Sequence, residues 1–167
     1  MKQLRFEKMG QIVITLALCL IATPALAGIA DSPLPVLVAG KKTIHVYSVP
    51  GVIDNGLGMG TFFACTSTDT APMQVGIDVF GSFGGGPCND AVGTSVTVAP
   101  GATVTFGTRT TVWIGVVDVG HCLNGSARIL ATSRKLACTA YVADAANAPP
   151  TTSWQLTIIK KTTQKGE

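Results

Sequence analysis

The sequence predicts an all-β protein, an antiparallel β-sandwich of about seven to nine short strands, on three observations. Short apolar runs recur along the chain, and each is closed by turn residues. Within several of these runs apolar and polar residues alternate with the period of two that a half-buried strand requires. Charged residues form only 13% of the chain, and Val, Thr and Gly outnumber Leu and Glu. This composition favours strands joined by turns over helices.

The first segment, Met1 to Ala27, is predicted to be a cleavable signal peptide. Its positive charges come first, at Lys2, Arg5 and Lys8, and an apolar run from Ile12 to Ile21 follows. Ala25-Leu26-Ala27 then supplies the small-x-small pattern of a signal peptidase site. The apolar run is about half of what a helix needs to cross a bilayer. We therefore expect a secreted or periplasmic protein, cleaved near Ala27 and without a membrane span in the mature chain.

Without this leader the chain keeps 140 of its 167 residues, enough for one domain with a core of its own. We expect an extended arm over residues 28–42, in which Val36 to Ala39 pairs along a sheet edge. The β-sandwich follows over residues 43–160, and a basic tail over 161–167. The net charge falls from +3 to +1 once the leader is removed, so the sequence gives no reason to expect nucleic acid as a partner.

Nine runs are predicted to be strands. They are Thr43–Val49, Gly60–Thr68, Met73–Phe80, Thr94–Ala99, Ala102–Phe106, Thr111–Val119, Ser126–Thr132, Leu136–Ala143 and Ser153–Lys160. In the third run Met73, Val75, Ile77 and Val79 share one face, and polar residues point the other way. Between the fourth and fifth runs Pro100-Gly101 fits the centre of a type II turn. That turn matches hairpin twist poorly, so we expect it to carry the chain from one sheet to the other.

Two stretches resemble the immunoglobulin-like modules of bacterial secreted and surface proteins. In Phe62 to Val75 a strand ends in small polar residues, turns, and resumes as an alternating strand. Val98 to Phe106 is similar to the midpoint of those modules. The resemblance implies an immunoglobulin-like β-sandwich. It carries no functional residues across, because such modules serve many roles.

Four cysteines remain when Cys19 leaves with the leader, an even number that favours disulfides in an oxidising compartment. Cys65 and Cys138 lie in strand-like runs, whereas Cys88 and Cys122 lie in turns rich in Gly and Asn. Like environments suggest structural disulfides that pair Cys65 with Cys138 and Cys88 with Cys122, although four cysteines permit three connectivities. The sequence contains no C-x-x-C spacing that would indicate a zinc or redox motif.

The densest group of potential metal ligands is Asp118-Val119-Gly120-His121-Cys122, and His45 is the second histidine of the chain. Zinc could use Asp118, His121 and His45, but nothing in the sequence places His45 nearby. A blue-copper site would need a different order of Cys, His and Met. We therefore interpret Asp118 and His121 as a polar loop beside a disulfide, and expect no metal, no cofactor and no catalytic residues.

Two other patterns have both a functional and a structural interpretation. Trp113, Trp154, Tyr47 and Tyr141 would form a sugar-stacking surface if they faced solvent together, but aromatic residues more often pack in a core. The glycine-rich run 81–86 lacks the Lys and the strand-to-helix setting of a phosphate loop, so we expect a hairpin loop there. The sequence has no G-x-S-x-G motif for a nucleophilic serine.

These observations favour an exported non-enzymatic β-sandwich that acts through its surface as an interaction, adhesion or envelope-associated structural module. Its partner would be a protein or a cell surface that the sequence does not identify. The alternative is a domain that binds a sugar or another small molecule. An exposed aromatic cluster in a groove would favour the alternative, whereas a paired edge beside a flat apolar patch would favour assembly. The sequence leaves the oligomeric state open.

Overall fold

Two five-stranded β-sheets pack on a shared apolar core in a computed structural model that describes residues 28–82 and 86–161. The predicted leader, the tip of the glycine-rich run and the tail beyond Lys161 lie outside these residues. The prediction of an all-β chain with two packed sheets is confirmed. In the described part of the chain no helix is long and apolar enough to cross a membrane.

The described residues form ten strands and one short helix. The strands are β1 (Ile44–Val52), β2 (Met59–Ser67), β3 (Met73–Gly81), β4 (Val96–Val98), β5 (Thr103–Gly107), β6 (Val117–Asp118), β7 (Gly125–Ala131), β8 (Leu136–Asp144), β9 (Ser153–Gln155) and β10 (Ile159–Lys160), and the helix α1 is Ala91–Thr94. The first sheet has the order β10-β1-β7-β3-β4 and the second the order β6-β5-β2-β8-β9. Neighbouring strands are antiparallel except for the short parallel pair of β5 and β6.

The turn at Pro100-Gly101 carries the chain from the first sheet to the second, as the sequence predicted. Strand β4, before the turn, pairs with β3, whereas β5, after it, pairs with β2. The Ala102 N–H donates to the Ala99 carbonyl at 3.0 Å, which closes the turn. Gly101 has a φ of +72°, a conformation that side chains with a Cβ rarely adopt.

The main core lies between the two sheets, and the alternation of each strand decides which side chains reach it. The four apolar residues of β3 that were predicted to share a face are all buried there. Phe63 and Cys65 of β2 meet them from the second sheet, together with Phe106 of β5. Strand β3 is also covered on its other face, where Leu37 and Ala91 lie beside Gly76.

The predicted strand Thr111–Val119 is a strand only near its end, in β6. The rest of this run lies on the outer face of the second sheet, where Trp113 packs edge-on against Phe62 with the ring centroids 5.5 Å apart. The Trp113 indole also donates to the Asp144 carbonyl at 3.2 Å. Tyr141 lies on the other side of Phe62, at 5.6 Å. Trp113 and Val116 of the run therefore cover a sheet face and do not extend a sheet.

The predicted strand Ser153–Lys160 is two strands that belong to different sheets. Strand β9 pairs with β8 in the second sheet, and β10 pairs with β1 in the first. Leu156 and Ile158 between them pack against the main core as the chain crosses from one sheet to the other. A local pattern does not specify which neighbouring strand each half of a run pairs with.

The N-terminal arm crosses the outer face of the first sheet. Val36 to Ala39 does not form the expected edge strand, because this stretch is bent into turns. Leu37 is buried there against Ala91 of α1 and Leu130 of β7. The arm and α1 together supply the apolar cover that this face requires, since the second sheet covers only the opposite face.

Arg128 of β7 holds the arm in place from beneath. Its side chain is fully buried, with the Nε donating to Asp78 at 2.6 Å and the two terminal nitrogens donating to the carbonyls of Ser32 and Pro33 at 2.8 Å each. The guanidinium carbon also lies 5.1 Å from the centre of the Phe80 ring. Burial raises the pKa of Asp78, and the hydrogen bond and charge of Arg128 oppose that rise. One cation therefore satisfies a buried carboxylate and two arm carbonyls together.

Asn89 covers the part of the β3 edge that β4 does not reach. Its side-chain oxygen accepts from the Val79 N–H at 2.6 Å, and its side-chain nitrogen donates to the Ile77 carbonyl at 2.5 Å. The Cys88 N–H donates to the Val79 carbonyl at 2.7 Å. The amide thus takes the place of a neighbouring strand, which protects an edge that would otherwise be open to pairing.

The four cysteines form two pairs at disulfide distance, Cys65 with Cys138 and Cys88 with Cys122, which is the arrangement expected from their environments. Cys65 and Cys138 are directly opposite each other on β2 and β8, with their Cα atoms 4.1 Å apart. This bridge therefore joins neighbouring strands within the second sheet. The other bridge ties the segment that covers the β3 edge to the loop between β6 and β7.

Replacing Arg128 should destabilise the fold strongly. Arg128→Met leaves the Asp78 carboxylate buried without its partner, which costs roughly 3–5 kcal/mol, and it frees the arm. Urea denaturation should show this loss, and trypsin should cut faster after the exposed Lys41. The double variant Arg128→Met/Asp78→Leu removes both charges and should recover much of the loss. Equal stability of the single and double variants would contradict this account of the pair.

Removing either disulfide should lower stability by a similar amount. The bridges span 73 and 34 residues, and the chain-entropy model gives roughly 4 kcal/mol for loops of these lengths. Denaturation of Cys65→Ala/Cys138→Ala and of Cys88→Ala/Cys122→Ala would measure both effects. Peptide mapping without reduction should recover the two linked peptides, and a Cys65 to Cys88 link would contradict the arrangement.

Candidate functional site

Three loops meet at one end of the sandwich, which we call the loop end: residues 53–58, 108–116 and 119–124. Strand pairing brings them together, because Val52 at the end of β1 is opposite Gly125 at the start of β7. In the second sheet Phe62, near the start of β2, is opposite Gly107 at the end of β5. Loops that connect strands at one end of a sandwich are the usual location of binding residues.

Asp54 is the centre of the loop end. Its side chain is only 2% exposed, and the Arg109 Nε and Nη2 atoms donate to its Oδ1 at 3.0 and 2.8 Å. The Gly56 N–H donates to the same oxygen at 3.0 Å. The Nδ1 atom of His121 bonds to the other oxygen, Oδ2. One buried carboxylate therefore links all three loops.

Two buried hydroxyls fix the backbone just before Asp54. The Ile53 N–H donates to Thr61 Oγ1 at 2.9 Å, and its carbonyl accepts from Thr61 and Thr108 at 3.0 and 3.1 Å. Gly60 pairs with Asp54 in an isolated bridge, and a Cβ at Gly60 would lie 2.8 Å from the Cβ of Arg109. A glycine is thus required here for Arg109 to reach the carboxylate.

The electrostatics of the cluster keep it charged at neutral and mildly acidic pH. Burial alone would raise the pKa of Asp54, but hydrogen bonds from His121, Gly56 and Arg109 outweigh it, and the pKa is lowered. The hydrogen bond to Asp54 raises the pKa of His121, and the charges of Asp54 and Asp118 add to that rise. Both shifts favour the charged forms of the contact, so Asp54 is a carboxylate that His121 and Arg109 share.

The structure brings together two of the three residues considered for a metal site. Asp118 and His121 lie in the same part of the loop end, where Asp118 accepts from the Gly120 N–H at 2.8 Å. His45 lies on β1, where its Nε2 contacts the Tyr47 carbonyl and the Ser48 hydroxyl at 3.0 Å each. The described residues contain no group of three or more His, Cys, Asp and Glu side chains that could hold a metal ion.

Two residues of this cluster, Asp54 and Arg109, were not expected from the sequence. Asp54 precedes Asn55-Gly56, so the sequence indicated only a turn residue there. No motif near Arg109 in the sequence indicated a binding residue. Asp54 and Arg109 lie 67 and 12 residues from His121 along the chain, so no local spacing connects the three. The strand register brings Asp54, Arg109 and His121 together in the fold.

Each of the three loops at the loop end carries one exposed apolar side chain. Among the described residues Leu57, Leu123 and Val112 are the most exposed large apolar side chains, at 90%, 73% and 70%. Asn55 holds the Leu57 loop, because its side chain accepts from the N–H groups of Leu57 and Met59 at 2.9 and 3.1 Å. The Cys88–Cys122 bridge anchors the loop of Leu123. The apolar side chains are thus presented on a fixed framework.

The aromatic residues considered for sugar stacking do not share a surface. Tyr47 is buried in the main core, with its hydroxyl donating to the Leu136 carbonyl at 2.5 Å. Trp113 and Tyr141 pack around Phe62 on the outer face of the second sheet. Trp154 is exposed, on the edge strand β9.

Comparison of the chain with protein-family models, with curated proteins and with solved structures found no significant match.

The contact between His121 and Asp54 should make stability depend on pH in a defined direction. The folded-state pKa of His121 is raised, so its contribution is complete below about pH 6.5 and is lost as pH rises through the folded value. Asp54 has a lowered pKa, so its own contribution is lost only in acid. His121→Gln should therefore cost more at pH 5.5 than at pH 8.5, by less than about 1 kcal/mol because the exposed ring is screened by solvent.

His45 provides the control for this measurement, because its titration has the opposite sign. Burial first, and the charge of Lys161 second, lower the pKa of His45 to about 4. Its neutral form is therefore favoured in the folded state, and stability falls as pH drops from about 6.5. His45→Gln should then lose less relative to the wild type at pH 5.5 than at pH 8.5. Urea denaturation of both variants and the wild type at the two pH values tests both predictions. If each variant loses the same stability at pH 5.5 as at pH 8.5, the pKa shifts given to His121 and His45 are contradicted.

Proposed function

We propose that this chain is an exported, non-enzymatic interaction module with an immunoglobulin-like β-sandwich, and that the loop end is its binding surface. One observation carries the proposal: Leu57, Leu123 and Val112 are exposed, each on one of the three loops that Asp54 joins. Single exposed apolar residues are ordinary, but several grouped at one end are typical of interaction sites. We call these three side chains the apolar rim; together with the charged, hydrogen-bonding centre they suit a protein partner that offers an apolar surface and polar groups.

The rigidity of the loop end supports this proposal. The Asp54 network joins all three loops, and the Cys88–Cys122 bridge holds one of them to the neighbouring segment. Side chains that are already ordered lose little conformational entropy on binding. Burial of one leucine contributes roughly 1.5–3 kcal/mol, so the loss of two such contacts should weaken binding measurably.

Export is supported by the predicted leader and by the two cysteine bridges. Disulfides persist in oxidising compartments and are rare in reducing ones. We propose that Met1 to Ala27 is removed and that the mature chain is secreted or periplasmic. The immunoglobulin-like assignment is supported by the two facing sheets and by the change of sheet at Pro100-Gly101.

Substitutions at the apolar rim test the function directly. Proteins that co-purify with the natively exported chain would be quantified for the wild type and for Leu57→Ser/Leu123→Ser. We expect the double variant to lose its partner by at least tenfold, since two exposed leucines no longer supply burial energy. Thermal unfolding should be unchanged, because both side chains are exposed in the folded protein.

The matched control is Val36→Ser/Ile159→Ser, which removes two exposed apolar side chains away from the loop end. This control should retain the partner. Full retention by Leu57→Ser/Leu123→Ser, or an equal loss in the control, would rule out the loop end as the binding surface.

A further inference from the structure

One edge of the second sheet is open along β9. Hydrogen bonds from Leu156 N–H to the Ala140 carbonyl and from Asp144 N–H to the Thr152 carbonyl show which residues of this segment face β8. Even-numbered residues bond to β8, so the main-chain groups of Ser153 and Gln155 point away from the sheet. All three residues of β9 are exposed. A neighbouring strand could therefore pair with this edge without any rearrangement.

The other sheet margins in the described chain carry a charge, a nearby proline or a covering side chain, whereas β9 carries none of these. Strand β10 ends at Lys160 and is followed by Lys161, and the Asn89 side chain covers the part of the β3 edge that β4 does not reach. Pro100 follows β4 after one residue, and β6 contains Asp118. Strand length does not distinguish these margins, because β4 and β9 both have three residues. The run 151–157 has no charge, no Gly and no Pro. Natural proteins usually blunt an exposed edge with such features, so their absence from this run indicates an edge that is used.

We propose that β9 pairs with β9 of a second copy of this chain, in antiparallel fashion about a two-fold axis. The edge is self-complementary in this arrangement. Ser153 of each copy is opposite Gln155 of the other, and both are residues whose main-chain groups point outward, so these pairs form about four hydrogen bonds. No like charges are opposed, because the run is uncharged. The second sheets of the two copies then form one continuous sheet.

Trp154 lies at the centre of this arrangement. In this register Trp154 is opposite Trp154 of the second copy, on the two-fold axis. The two residues form a non-hydrogen-bonded pair, the kind of pair in which opposing side chains approach most closely. Trp154 is 59% exposed in the single chain, and cross-strand aromatic pairs of this kind stabilise antiparallel sheets. The pairing explains why a large apolar side chain lies on an otherwise polar edge. It uses a different surface from the loop end and does not depend on the proposed function.

Analytical ultracentrifugation of the exported protein over a range of concentrations tests the proposal. We expect a reversible dimer whose dissociation constant rises at least tenfold in Gln155→Pro. The Gln155 N–H points outward, so proline there removes a donor to the second copy and none to β8. Thr97→Pro, at an outward position of the edge strand β4, should leave the dissociation constant within about twofold.

A cysteine crosslink gives an independent test if the proline variant folds poorly. In the two-fold pair Trp154→Cys puts two thiols directly opposite each other, in the same relation as Cys65 and Cys138, whose Cα atoms are 4.1 Å apart. A mild chemical oxidant should convert this variant to a covalent dimer. Ser153→Cys has the same number of thiols but puts them beyond the roughly 7 Å that a disulfide spans, and should crosslink at least tenfold more slowly.

Three results would overturn the proposal. These are a monomer at all concentrations, a dimer that is insensitive to Gln155→Pro, or equal crosslinking of Trp154→Cys and Ser153→Cys.

Discussion

Each of the two sheets has apolar side chains on both faces, and this constraint shapes the rest of the molecule. The inner faces cover each other, but Leu130 on one outer face and Phe62 on the other also require burial. The arm and α1 cover the first, and the 108–116 loop with Trp113 covers the second. Segments without regular structure are therefore as much a part of the packing as the strands.

Two clusters of charged residues in the described chain join segments that are distant in sequence. Arg128 joins Asp78 to the carbonyls of the arm, and Asp54 joins Arg109 to His121. A buried charge is tolerated only when it is paired and hydrogen-bonded. Each cluster consequently specifies one arrangement of its segments, because any other would leave a charge without a partner. The Arg128 cluster stabilises the fold, and the Asp54 cluster orders the loops of the loop end.

The two proposed surfaces differ in the forces on which they depend. At the loop end, side chains on a fixed framework would recognise a different protein through apolar contact and charge. Along β9, main-chain groups would recognise an identical copy through strand pairing. These functions are compatible, since a two-fold dimer would present two loop ends. Two copies of one site bound to the same partner or surface raise the apparent affinity without new contacts.

The sequence by itself determined the features that depend on local geometry. Period-two alternation identified the strands, because successive side chains of a strand point to opposite faces. The Pro100-Gly101 turn followed from the φ that each residue prefers, and the cysteine environments pointed to the pairs that the structure brings together. Only the tertiary structure decided the rest. The partners of His121, the division of Ser153–Lys160 between two sheets and the path of the arm depend on strand register and on contacts between distant residues, which a local pattern does not encode.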